Sequence, residues 1–145
     1  MKYLHTMIRI NSTKDTMRFF CDGLGLQEMY RKDNEAGRYT LIFLAAPGDI
    51  GNENGNIPMI ELTHNWDEER LGGGRNFGHL AFQVNNIYET WAKLIEEGIE
   101  INRPPRDGRM AFVKSPDGIS IELLQNGEAL EIIEPWASMK NSGTW

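Results

Sequence analysis

The sequence predicts an α+β fold of two tandem βαβββ modules, and three observations predict it. Two strand-like motifs occur twice along the chain, each half carries a capped helix signal, and the remaining apolar runs alternate with period two. LHTMIRIN (4–11) aligns with GHLAFQVN (78–85), with histidine second and asparagine last in both. PMIELTHN (58–65) aligns with ISIELLQN (119–126), sharing I-E-L and the final asparagine.

Taken in order, 4–10 reads as a first strand. STKDTMRFFCDG follows as a helix, with Ser12 and Thr13 as caps, Asp15 three residues after Ser12, and a stop at Gly23 or Gly25. Strands are expected at 26–32, 38–45 and 57–64. In the second half, 78–84 is a strand, and Asn86 with Glu89 opens a helix whose apolar face is Trp91, Leu94 and Ile95 and whose end is Gly98. Strands at 99–103, 109–114 and 118–125 complete it. The first half is longer by the loop AAPGDIGNENGNIP, which lacks the final glutamate of a calcium-binding hand and the Gly-Lys-Ser/Thr of a phosphate loop. The expected organisation is one domain over 1–126, with module one at 1–66, module two at 76–126, LGGGRNF joining them, and a tail at 127–145.

A formal net charge of −6 argues against a nucleic-acid partner, since phosphate-backbone binding needs a basic face. Arg103, Arg106 and Arg109 form a cluster sized for a small anion. Cys21 is the only cysteine, so no intrachain disulfide forms, and its setting in FFCDG reads as an inert thiol. With no signal-peptide pattern and no spanning apolar run, the expectation is a cytoplasmic protein with no membrane partner.

Alternation sorts the ionisable residues of the repeated strands. His5 lies with Met7 and Arg9, His79 with Ala81 and Gln83, Glu61 with Met59 and Thr63, and Glu122 with Ser120 and Leu124. All four fall on the less apolar face. A simple wet face accounts for any one of them. If the two modules instead form one curved mixed sheet, the four converge, and two imidazoles with two carboxylates balance a divalent cation. That nitrogen and oxygen set, with room for two waters, suits six-coordinate Ni²⁺, Co²⁺ or Mn²⁺ at least as well as tetrahedral Zn²⁺. His64 alternates with Ile60 and Leu62, away from Glu61, and reads as structural; Trp66 and EPWASMKNSGTW read as packing elements.

LHTMIR, IELTHNW, RNFGHLAF and SPDGISIELL together resemble the signature strands of lactoylglutathione lyase (glyoxalase I), in the vicinal-oxygen-chelate superfamily, over about residues 4–126. The resemblance implies His5, Glu61, His79 and Glu122 as metal ligands. Histidine at the first position is similar to the bacterial forms activated by Ni²⁺ or Co²⁺. It further implies that Arg9, Asn65 and Arg75 hold the glutathione moiety. The stretch NRPPRDGRMAFV departs from the family pattern, and Arg106, Arg109 or Met110 are the candidates to replace its missing contacts. The implied reaction converts the methylglyoxal–glutathione hemithioacetal to S-D-lactoylglutathione through an enediolate. Glu122 is the implied base, loosening from the metal to act, and Glu61 serves the opposite epimer. A homodimer with sites shared between chains is implied too. The rival readings are a methylmalonyl-CoA epimerase, whose second ligand is usually glutamine, and a metal-free binding module of the same fold. An extradiol dioxygenase or a fosfomycin thiol transferase would use fewer ligands.

Overall fold

The computed structural model describes residues 2–51, 57–72, 74 and 76–144. They fall into two compact units, Met1–Gly72 and Gly73–Trp145. The first contains β1 (His5–Ile10), α1 (Thr13–Met17), β2 (Gln27–Asn34), β3 (Tyr39–Ala45) and β4 (Met59–Asn65). The second repeats the order with β5 (His79–Val84), α2 (Ile87–Glu96), β6 (Ile101–Arg103), β7 (Met110–Lys114) and β8 (Ser120–Gln125). Each unit thus has the expected βαβββ order, and each builds its own four-stranded mixed sheet.

The sheets have one topology. Their strand orders are β1-β4-β3-β2 and β5-β8-β7-β6. In each, the first and last strands of the module run parallel, which the intervening helix and meander make possible, and the remaining pairs are antiparallel. Alternation holds along them: Ile8, Ile10, Ile60 and Leu62 enter the core of the first unit, and Ile121 and Leu123 that of the second.

The helices behave differently from each other. Ser12 caps α1 through its hydroxyl oxygen, which accepts the Asp15 amide at 3.2 Å. After one α-helical turn the chain widens into a π-helix over Arg18–Gly23, where the Leu24 amide reaches back to the Phe19 carbonyl at 3.1 Å. The expected single helix is therefore two winding types, and the change accompanies two consecutive buried aromatic rings, Phe19 and Phe20. Cys21 nearby is a free, half-buried thiol, and burial pushes it up, with Asp22 and Glu28 adding to the effect.

Asn86 caps α2, its side-chain oxygen accepting from the Tyr88 and Glu89 amides while its nitrogen donates to the Glu89 carboxylate at 2.9 Å. Ile87, Trp91 and Leu94 are wholly buried; Ile95 is 47% exposed and stands off the apolar face on which helical spacing from Trp91 had placed it. Buried Gln125 joins β8 to this helix by accepting the Ile87 amide at 2.9 Å and donating to the Asn85 carbonyl at 2.8 Å. Among the described residues no helix is long and apolar enough to cross a membrane.

Residues after 126 dock on the second unit. The Leu130 amide donates to the Gly108 carbonyl at 3.0 Å, and Tyr88 donates its hydroxyl to the Glu131 carbonyl at 2.9 Å. Trp136 stacks on Tyr88 and meets the edge of Trp91. Asn102 and Ser142 exchange bonds through backbone and side chain. The 103–110 loop is braced as well. Burial pushes the Asp107 carboxyl up, but the Arg103 guanidinium and the amides of Met110 and Arg109 outweigh it and hold the group below its usual range.

Two outcomes follow from this docking. At Gly108 the backbone has φ +64° and an added Cβ would lie 2.2 Å from the Leu130 carbonyl oxygen. Gly108→Ala should lower unfolding stability by about 1–3 kcal/mol and expose the tail to limited proteolysis, read from urea midpoints and cleavage rates. Because the Asp107 pKa is depressed in the folded chain, its contribution is present above the unfolded value of about 3.9 and is lost as pH falls below it. Asp107→Asn should therefore flatten the acid limb of a stability–pH curve while leaving its neutral region parallel to that of the parent.

Candidate functional site

The parallel pairing of β1 with β4 sets Met7 opposite Glu61. Two residues earlier on the same face, His5 reaches diagonally, and its Nε2 lies 3.0 Å from Glu61 Oε2. The pairing of β5 with β8 repeats this register, with Ala81 opposite Glu122 and His79 Nε2 at 3.1 Å from Glu122 Oε2. The glutamates are the shielded members, their side chains 14% and 15% exposed against 37% and 42% for the histidines. Each unit thus presents a nitrogen donor and a carboxylate oxygen aimed at one another from the outward face of its sheet.

A third residue belongs to each pair. Phe43 on β3 stands directly across from Glu61, and Phe112 on β7 directly across from Glu122. Both phenylalanines are nearly buried. Each meets its histidine ring edge-on, at 5.8 Å and 81° for His5 and at 5.5 Å and 85° for His79. The contact fixes the plane of an otherwise exposed imidazole. Sequence reading passed over these residues, although extending the repeat to LIFLA and MAFVK would have aligned them.

The chemistry of the donors fits a divalent cation. Imidazole nitrogen and carboxylate oxygen suit first-row transition metals. Among the described residues neither glutamate is paired with a lysine or arginine that would compete for it. Within neither unit does a third His, Cys, Asp or Glu join the pair among the described residues, so each unit supplies two donors.

The other candidates are placed as follows. Arg9 and Asn65 meet on a shared neighbour, Glu69, whose Oε1 accepts from Asn65 Nδ2 at 2.7 Å and lies 3.9 Å from Arg9 Nε. Glu69 had no signal in the sequence, because it sits in an irregular segment outside the repeat. Arg75 lies outside the described residues. Arg106 donates to the Met139 carbonyl and to Asn141 Oδ1, and Arg109 donates to the Gly127 carbonyl, so both guanidiniums hold the tail. Met110 is half-buried at the start of β7, its carbonyl taken by Arg103. His64 is half-buried and points away from the Glu61 face. Trp66 packs, donating its indole N–H to Thr40 at 2.9 Å beneath the Arg38 guanidinium.

Comparison with known proteins shows the family to which the fold belongs. A family model described as the glyoxalase/bleomycin resistance protein/dioxygenase superfamily matches residues 2–123. The chain is 39% identical over 130 residues to a probable lactoylglutathione lyase of Synechocystis, covering 86% of this chain and 95% of that one. It is 37% identical over 130 residues to the lactoylglutathione lyase of Neisseria meningitidis, covering 86% and 91%. Among solved structures, the trypanothione-dependent glyoxalase I of Leishmania major superposes with a TM-score of 0.74 at 31% identity, covering 86% of each chain. The chain belongs to the glyoxalase superfamily and, within it, to the lactoylglutathione lyase family.

Proposed function

We propose that this chain isomerises the hemithioacetal of methylglyoxal and glutathione to S-D-lactoylglutathione, using His5, Glu61, His79 and Glu122 as the ligands of one divalent metal and a glutamate as the proton carrier. The observation that carries this reading is the twice-built imidazole–carboxylate pair, in one register and beside one phenylalanine in each unit. A family fold alone would leave those four positions unconstrained.

The set is completed in a homodimer, with His5 and Glu61 of one protomer and His79 and Glu122 of the partner subunit. Ni²⁺ or Co²⁺ is favoured, Zn²⁺ also being accommodated, because the first ligand is an imidazole. When bound there, the cation supplies Lewis-acid stabilisation to the negative charge that develops on the two adjacent substrate oxygens.

The remaining work falls to this chain's own side chains. Glu122, whose Oε2 lies 3.1 Å from His79 Nε2, takes the proton from C1 of the hemithioacetal on a carboxylate oxygen as it loosens from the metal. The same oxygen then returns that proton to C2, so no net proton is exchanged with the protein. Shielding of the carboxylate keeps the carried proton from bulk water. Phe112 holds the His79 ring, and through it the orientation of Glu122. Glu61 occupies the equivalent place in the first unit and serves the opposite epimer. Arg9, Asn65 and Arg75 anchor the thiol's polar ends. The setting is the cytoplasm, where Cys21 stays reduced.

Metal-stripped protein should regain hemithioacetal isomerisation, followed as thioester absorbance, on addition of Ni²⁺ or Co²⁺ more than of Zn²⁺; silence with all three would remove the lyase reading. Glu122→Gln should lower kcat by about 10²–10⁴-fold while part of the metal stays bound. Near-normal turnover in that variant would move the base to Glu61.

A further inference from the structure

Of the buried side-chain atoms left without a hydrogen-bond partner among the described residues, one stands beside a proposed metal ligand. Ser120 opens β8 at 9% exposure, and its Oγ is wholly buried and unpartnered. A buried hydroxyl in that condition is destabilising, so a fold keeps one where it serves some other end. Ser120 precedes Glu122 by two residues, and both side chains leave the same face of β8, about 7 Å apart along the strand. Across the parallel ladder Ser120 is the direct partner of His79, and on its other side it faces Lys114. Hydroxyl, imidazole and carboxylate therefore occupy adjoining positions, and the His79–Glu122 contact at 3.1 Å spans the two rows.

In the first unit a hydroxyl at this spacing reaches its glutamate. Thr63, two residues after Glu61 on the same face of β4, donates to Glu61 Oε1 at 3.4 Å. The repeat does not preserve that arrangement. Aligned on I-E-L, Thr63 corresponds to Leu124 and Ser120 to Met59, so the hydroxyl neighbour follows the glutamate in β4 and precedes it in β8. The hydroxyl beside Glu61 is engaged in the resting fold, and the one beside Glu122 is not.

We propose that Ser120 is a positioning residue for the proton carrier, its hydroxyl taking the Glu122 carboxylate when that group loosens from the metal. This rests on the reading of Glu122 as the base in hemithioacetal isomerisation. Serine suits the task because one hydroxyl both donates and accepts. It donates to the carboxylate before C1 gives up its proton, and it accepts from the carboxylic acid formed afterwards. Removal from water strengthens the bond in both stages. Glu61 has no second resting place of this kind before it on its strand, since position 59 is methionine. Of the two glutamates, Glu122 is thus the better equipped to leave and return.

Ser120→Ala and Ser120→Thr decide it, each compared with the parent in urea midpoint, in Co²⁺ affinity, and in kcat and KM of the Ni²⁺-loaded enzyme for the glutathione–methylglyoxal hemithioacetal. Because the hydroxyl has no partner in the resting fold, Ser120→Ala should keep or exceed the parent's urea midpoint and bind Co²⁺ within about twofold of it. Its kcat should still fall by about tenfold with KM little changed, the mark of one hydrogen bond to a charged group made only during the reaction. Ser120→Thr keeps the hydroxyl and should stay within about threefold of the parent's kcat. A parent-like kcat in Ser120→Ala overturns the proposal, as does a threonine variant as slow as the alanine one. A loss of stability or of Co²⁺ binding alongside slow turnover overturns it too, because the hydroxyl would then be a brace of the resting site. A parent that turns over no hemithioacetal removes the lyase reading and this proposal with it, whereas an active parent matched by Ser120→Ala removes this proposal alone.

Discussion

The pairing of the first strand of each module against its last is the constraint on which the rest of the molecule depends. Because β1 lies parallel to β4 with Met7 facing Glu61, His5 falls within reach of the glutamate, and the equivalent ladder of β5 and β8 repeats the outcome. A slip of one residue would turn the glutamates into the core and the isoleucines and leucines out of it. What prevents the slip is the buried face: Ile8, Ile10, Ile60 and Leu62 in one unit, Ile121 and Leu123 in the other, lock the strands from behind. The apolar side of the sheet thereby sets the geometry of the polar side.

The second unit carries an added layer. Its arginine-bearing loop and the tail brace one another, and most of the loop's positive charge is spent internally, on Asp107, on backbone carbonyls and on Asn141. A cluster of three arginines in an acidic protein reads from sequence as an anion site; in the structure its guanidiniums also act as a clasp whose partners lie up to 35 residues downstream.

The parts legible in the sequence were those with a period. Strand alternation and the doubled motifs placed β1, β4, β5 and β8, and with them both histidine–glutamate pairs. Helix caps at Ser12 and Asn86 were local signals and read correctly. What escaped had no period. The π-winding after Met17 leaves no mark in composition, Ile95 lies at the border of its helical stripe, and Glu69 acts from a segment shaped by tertiary contact alone. Phe43 and Phe112 lay within reach, but attention to ionisable groups passed over the aromatic neighbours that aim them.

One consequence of the doubled pair concerns entropy. Each imidazole is already set beside its carboxylate and steadied by a phenylalanine, so under the proposed metal-binding role the two donors of each unit would meet a cation as one prearranged pair and not as independent side chains. The rotamer freedom usually surrendered on chelation has been given up during folding, when the parallel ladder formed. Affinity for the ion would then track the integrity of each sheet, and damage to a strand far from any donor atom would register first as a loss of metal.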